Sequence, residues 1–316
     1  MPRKELRRLL QMLLALGLLL LIICAWVQEV RRQQEIEQSR EQEVARINVL
    51  DREGRVLSLG LEDFLIGVVA AETPAAFAQE ALQAQAVAAR TYILSAQAAG
   101  GRHQQAAVCM DPACCQAYSD PEQLRRAWGG DFQENYHRIS RAVQATAGQA
   151  LYYQERLAQT PFHSCCGGKT ESAAACWGGA REWLVSVDCG YCRHAARFCG
   201  SSLLPLAQAA DLLDCSVEEL AGLSALDYSQ SGRLSTLQLG RRVLRATELR
   251  SALGLNSTAC TWLIFGDNIV FTTIGYGHGV GLCQYGADGM GREGYDYQEI
   301  LAHYYPGTEL REPLIK

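Results

Sequence analysis

From Leu9 to Val27 the chain runs for nineteen residues without a charge, and Gln11 is the only strongly polar one among them. At a rise of ~1.5 Å per residue, a helix of that length approaches the ~30 Å hydrocarbon core of a bilayer. A run that is apolar on every face has no side to turn to water, which argues against an ordinary buried helix of a soluble fold. Arg3, Lys4, Arg7 and Arg8 precede it, while Arg31 and Arg32 follow it. The excess ahead of the run predicts a cytoplasmic tail over residues 1–8 and an extracytoplasmic body. A cleaved signal peptide is the competing reading, but the run exceeds a usual h-region and no small-x-small site directly follows. Residues 9–27 are therefore expected to be a transmembrane anchor. Residues 28–45, rich in Glu, Gln and Arg, are expected to form a polar stalk, and residues 46–316 a single domain.

That body has a globular composition, with 48% apolar and 20% charged residues. The net charge of -5 speaks against nucleic acid as the main ligand, since neutralising phosphates needs a basic face. Ile47–Leu50 and Val56–Leu59 alternate around Asp51–Gly54, the pattern of a hairpin. Phe64–Ala71 is short and apolar, and Pro74 blocks continuation beyond it. Gln79–Ala99 is the strongest helix, with Leu82, Ala86, Ala89 and Ile93 recurring on one face beside Arg90, whose charge there needs a partner. A further helical pattern covers Tyr136–Ala147 and stops at Gly148, and strands are expected over Ala150–Tyr153 and Leu157–His163. Helices mixed with short antiparallel strands, with few βαβ units, predict an α+β fold.

Three features carry chemistry. Glu72 follows an apolar run and precedes a proline stop, and desolvation there would keep its carboxyl protonated, as a general acid requires. An ion pair with Arg90 is the structural alternative. The second feature is the loop His103–Cys115, which packs His103, Cys109, Cys114 and Cys115 into thirteen residues; this set suits tetrahedral zinc in a closed, structural site, with disulfides as the alternative. The third places glycine at every second position from Gly275 to Gly281; in a strand this leaves one face bare for a sugar ring or another backbone, with Tyr276, His278 and Val280 on the other. Gly168–Lys169–Thr170 is no phosphate loop, because His163 stands where the first glycine belongs. Cys165, Cys166, Cys176, Cys189, Cys192 and Cys199 leave disulfides and a second metal site equally open.

The run Glu72-Thr-Pro followed by Gln-Ala-Gln-Ala-Val-Ala-Ala-Arg90-Thr resembles the stage II sporulation protein D family. So do His163-Ser-Cys-Cys-Gly-Gly-Lys-Thr170, Trp177-Gly-Gly, Gly275–Ala287 and Ile300–Thr308, which occur in the family's order across residues 46–312. The resemblance implies a lytic transglycosylase of the sporulating mother-cell membrane that cuts denuded peptidoglycan glycan strands. It implies work during engulfment beside a peptide-cleaving amidase or endopeptidase and a multi-spanning membrane partner. Glu72 aligns with the family's catalytic glutamate, and Arg90 becomes its candidate orienting or structural partner. The remaining motifs supply His163, Ser164, Gly168, Lys169, Thr170, His278, Gln284 and Tyr285 as candidate substrate contacts. Some members bind zinc in a His/Cys loop at the position of His103–Cys115, with histidine where Cys114 stands here. Rival readings are a non-catalytic wall-binding enhancer of an amidase and a zinc hydrolase; the second lacks a His-Glu-x-x-His motif.

Overall fold

The computed structural model describes residues 46–312, together with Trp26 and Gln28, both helical. The predicted tail, anchor and stalk lie outside the described residues but for those two positions. Among the described residues no helix is long and apolar enough to cross a membrane. The chain divides into two units, Met1–Arg46 and Ile47–Lys316.

The expected hairpin comes first, β1 (Arg46–Leu50) and β2 (Val56–Gly60). Its turn is tied by the Asp51 carboxylate, which accepts from the backbone N–H groups of Glu53 at 3.0 Å and Arg55 at 2.8 Å. The apolar run then forms helix α1 (Leu61–Glu72), which buries Phe64, Leu65, Val68 and Val69. Thr73 is extended, as a residue before proline must be, and it ends the helix by returning both its N–H and its hydroxyl to the Val69 carbonyl. Helix α2 (Gln79–Ala98) is the central element. Its alanines are buried against its neighbours, and where it begins a Cβ added to Gly291 would come within 2.8 Å of the Cβ of Ala78, the residue just before it.

Strand β3 (Val108–Cys109) lies inside the Cys-rich loop and pairs in parallel with β1. Helix α3 (Pro121–Trp128) starts at an Asp120–Gln123 capping box with proline at its first turn. After a 3-10 turn comes α4 (Phe132–Ala145), packed on α1 and α2. Strand β4 (Ala150–Tyr153) pairs with β5 (Arg156–Leu157). The expected strand over Leu157–His163 is broken: β6 (Phe162–His163) is separate and pairs with another segment, because Pro161 cannot donate to a ladder.

A short helix α5 (Ala173–Trp177) follows. Residues 199–274 then build two three-stranded antiparallel sheets around a core of their own. The elements are β7 (Cys199–Pro205), α6 (Leu206–Leu212), α7 (Val217–Ala221), β8 (Ser224–Tyr228), β9 (Leu234–Leu239), β10 (Arg242–Arg245), α8 (Ala246–Leu253), β11 (Cys260–Phe265) and β12 (Asn268–Ile274). Leu220, Leu237, Leu249, Ile269 and Phe271 fill the centre of that core. Strand β13 (Leu282–Cys283) returns the chain to the first core by pairing in parallel with β6. Helices α9 (Gln284–Arg292) and α10 (Tyr297–Tyr304) pack on α2, and β14 (Glu309–Arg311) closes against β4.

The architecture is α+β, mainly antiparallel with two short parallel pairs. The glycine run is not the strand its alternation predicts. Gly275, Gly277, Gly279 and Gly281 have φ of 81°, 109°, 85° and 71°, so residues between β12 and β13 wind through the left-handed region that side chains resist. At Gly277 the neighbour is protein, since an added Cβ would meet the His163 Cβ at 3.0 Å. The bare positions serve close backbone packing here, and Val280 is fully buried while Tyr276 and His278 turn to a cleft.

Candidate active site

Glu72 is the last residue of α1 and looks into a cleft of about 920 Å³. That is the upper part of the ~300–1,000 Å³ range of ligand sites. The walls come from four segments: the end of α2 with Tyr92 and Ser95, the loop with Cys114, Cys115 and Gln116, the stretch Pro161–Ser164, and Tyr276–His278 with Gln284. Trp177, at the end of α5, stands at the same cleft with half its surface exposed. Among the described residues lining the cleft, Glu72 is the only carboxylate.

Burial pushes the Glu72 carboxyl above its ordinary range, the dominant effect, while hydrogen bonds from Ala117 and Gln284 pull it part-way back. The Ala117 N–H donates to Oε1 at 2.7 Å. Gln284 in turn donates from Nε2 to the Gln85 Oε1 at 3.4 Å, so an amide chain links the acid to α2.

Burial disfavours the charged form of His163 and His278. His163 donates from Nδ1 to the Val280 carbonyl at 3.1 Å, since a carbonyl can only accept. Its Nε2 lone pair is therefore left bare, buried and without a partner among the described residues. Burial, then His278, then Arg233 hold its pKa well below the usual value. His278 accepts the Val280 N–H on Nδ1 at 3.0 Å, and enclosure by protein lowers its pKa to about 4. The rings lie 5.6 Å apart, and the Trp177 ring lies 5.1 Å from His278.

The loop set is assembled as its spacing suggested. The ligand atoms of His103, Cys109, Cys114 and Cys115 all lie within 4.8 Å of one another. His103 Nε2 is 3.6 Å from Cys114 Sγ and 3.5 Å from Cys115 Sγ, and the two sulfurs are 3.8 Å apart. A tetrahedral zinc with bonds of ~2.3 Å to sulfur and ~2.05 Å to nitrogen requires edges of about 3.8 Å and about 3.5 Å. The donor set fits zinc.

The family model described as Stage II sporulation protein matches residues 51–153. Stage II sporulation protein D of Bacillus subtilis is 32% identical over 260 residues, covering 81% of this chain and 76% of that protein. The protein of that name from Bacillus amyloliquefaciens matches equally, at 32% over the same shares. The chain belongs to the stage II sporulation protein D family. The amidase enhancer of Bacillus subtilis is 25% identical over 302 residues, 78% of this chain but 40% of that protein.

In this member of the sporulation protein D family, Glu72, His163, Ser164, His278 and Gln284 meet at one cleft. Other expected contacts go elsewhere. Arg90 is fully buried and is no partner of Glu72; its guanidinium grips the Glu62 carboxylate at 2.8 and 2.6 Å and donates to the Gln149 and Val143 carbonyls, each at 3.2 Å. The arginine needs a partner because it sits in the α2 face that packs on α4, and Glu62, at the start of α1, supplies it. Lys169 lies 3.6 Å from Asp188, and Thr170 is buried, accepting from the Val187 N–H at 2.8 Å. Gly168 accepts from the Cys189 N–H. Tyr285 packs edge-on against Phe77 and His194. None of Arg90, Gly168, Lys169, Thr170 and Tyr285 lines the cleft. Sequence reasoning missed the Ala117 N–H, which has no side-chain signal. It also missed Gln116, Tyr92 and Tyr276 as wall residues, and it used Trp177 only as part of a motif.

Proposed function

We propose that this chain is a peptidoglycan lytic transglycosylase in which Glu72 serves as both acid and base. The observation that carries this reading is a single carboxyl, its pKa raised by burial, in a cleft whose other described walls hold no second acid. Ordinary glycosidases use two carboxyls, ~5–5.5 Å apart when retaining and ~6.5–9.5 Å apart when inverting, because water must be activated. Transglycosylation needs one. Protonated Glu72 gives its proton to the glycosidic oxygen between N-acetylmuramic acid and N-acetylglucosamine as that C1–O bond breaks. The muramoyl C6 hydroxyl attacks C1 and loses its proton to the Glu72 carboxylate, which leaves a 1,6-anhydro ring and restores the acid. No water enters the balance.

The walls suit a glycan. Ser164 and Gln284 offer polar groups to the sugar's hydroxyls and amides, and the exposed Trp177 face gives a sugar ring a platform. His103, Cys109, Cys114 and Cys115 would hold zinc with four protein ligands and no open position, a structural role. The ion would fix the segment that presents the Ala117 N–H to Glu72, two residues beyond Cys115. The reading includes the membrane anchor over residues 9–27, a position outside the cytoplasm, and partners of the engulfment machinery: an amidase or endopeptidase and a multi-spanning membrane protein.

Incubating the protein with denuded glycan strands, wild type beside Glu72→Gln, tests the reaction. Mass analysis should find 1,6-anhydromuramoyl ends from wild type and far fewer from the variant; reducing ends, or anhydro ends formed by the variant at the wild-type rate, would reject it. The likeness to an amidase enhancer supports a second reading, a non-catalytic wall-binding protein. In that case neither protein cuts, and both stimulate an added amidase.

A further inference from the structure

A second cluster of sulfurs lies behind the cleft, sharing no residue with the His103 set. Cys166 follows β6, Cys189 and Cys192 form a Cys-x-x-Cys knuckle, and Cys283 ends β13. We propose that these four cysteines bind a second zinc ion as a closed four-thiolate site.

The geometry carries the proposal. All four sulfurs lie within 4.8 Å of one another, and Cys166 Sγ and Cys192 Sγ are 3.6 Å apart. Four bonds of ~2.3 Å in a tetrahedron set every sulfur–sulfur edge at about 3.8 Å. All four side chains are buried, at 2% exposure or less, so the cluster is not a chance meeting of surface groups.

Hydrogen-bond donors face two of the four sulfurs, and Cys283 Sγ also lies 3.8 Å from the Ser164 carbonyl. Cys283 Sγ accepts from the Cys166 N–H at 3.2 Å and from the Gly286 N–H at 3.3 Å, and it caps the first turn of α9. The Tyr304 hydroxyl lies 3.1 Å from Cys189 Sγ. Four thiolates around Zn²⁺ leave two negative charges, and the buried Arg233 guanidinium beside them donates to the Cys166 carbonyl at 2.6 Å. Gly286 is bare because a Cβ there would press on the Tyr304 hydroxyl and come within 2.6 Å of Cys189 Sγ. The ion is thus a clasp: it joins the segment carrying His163 and Ser164 to the one carrying Gln284.

Metal analysis of the purified full chain tests this without reference to any activity. Wild type should carry two zinc ions per chain, Cys283→Ser one, and Cys114→Ser one. Cobalt replacement should give overlapping four-thiolate and three-thiolate-one-imidazole spectra. Because Cys283→Ser could fail to fold, Cys192→His keeps a ligand in place: it should retain two ions while the four-thiolate cobalt spectrum becomes a mixed one. A single zinc in wild type that survives Cys283→Ser, an unchanged cobalt spectrum in Cys192→His, or a disulfide between Cys166 and Cys192 in the unreduced protein would overturn the site.

Discussion

Replacing Arg90 by methionine separates a structural arginine from a chemical one. The substitution keeps an unbranched apolar stem out to about the position of Nε and deletes the charge and every donor. Glu62 loses its two charge-assisted bonds and is left near the core with its side chain only 29% exposed. The Val143 and Gln149 carbonyls each lose a donor as well. Breaking a buried pair by removing one partner costs about 3–5 kcal/mol. The partial exposure of Glu62 favours the lower half of that range, and the Gln149 carbonyl, left without its donor, adds about 1 kcal/mol, while the Val143 carbonyl keeps the Thr146 N–H and hydroxyl, each at 3.3 Å. At roughly 2–4 °C per kcal/mol for a domain of this class, the melting temperature should fall by on the order of 10 °C. Differential scanning calorimetry of wild type and Arg90→Met reads the shift, and glycan cleavage well below both transitions reads the chemistry. Cleavage per folded molecule should stay within a few-fold of wild type. A variant that melts with wild type yet has lost cleavage would refute the placement of Arg90 as a brace between α1, α2 and α4.

Four further outcomes concern the cleft. Cleavage needs the protonated carboxyl, so kcat/KM should decline as pH rises through the elevated Glu72 pKa, and Glu72→Gln should cost on the order of 10²- to 10⁴-fold. Because the folded state holds that proton more tightly than the unfolded chain, stability should fall as pH rises past the ordinary carboxyl range; Glu72→Gln, neutral throughout, should lack that fall in a pH series of melts, and a parallel decline in both would count against a raised pKa. Chelation, or Cys115→Ser, should free the loop that supplies the Ala117 N–H, lowering cleavage together with melting temperature, and zinc should restore only the chelated wild type. Trp177→Ala should raise KM roughly 2- to 12-fold with kcat nearly unchanged, measured on glycan strands of fixed length; an unchanged KM would remove the platform.

Local pattern makes much of this legible. The alanine periodicity of α2, the hairpin around Asp51–Gly54 and the gathering of the four His103-loop side chains depend on neighbours close in sequence. Glu72 is legible because an apolar run and a proline bracket it. The features that elude sequence reasoning depend on distant partners. Spacing pairs Arg90 with the wrong carboxylate because Glu62 reaches it only once α1 and α2 cross. The glycine run reads as a strand because alternation alone does not reveal φ. The four-cysteine cluster draws its members from three separate segments, and Cys283, hidden in a glycine-rich motif, gives no spacing signal.

Glu72 ends α1 at its carbonyl pole, where the aligned peptide dipoles amount to about half a negative charge. Such a pole ordinarily invites lysine or arginine, yet the last turn carries none. Val69, Ala70 and Ala71 stand there, and the Thr73 hydroxyl serves the Val69 carbonyl in place of a cation. A positive side chain would have steadied the helix end while drawing the proton off its final residue. The backbone's own polarity therefore works as a fixed electrostatic bias against ionisation, one that no mobile neighbour has to maintain.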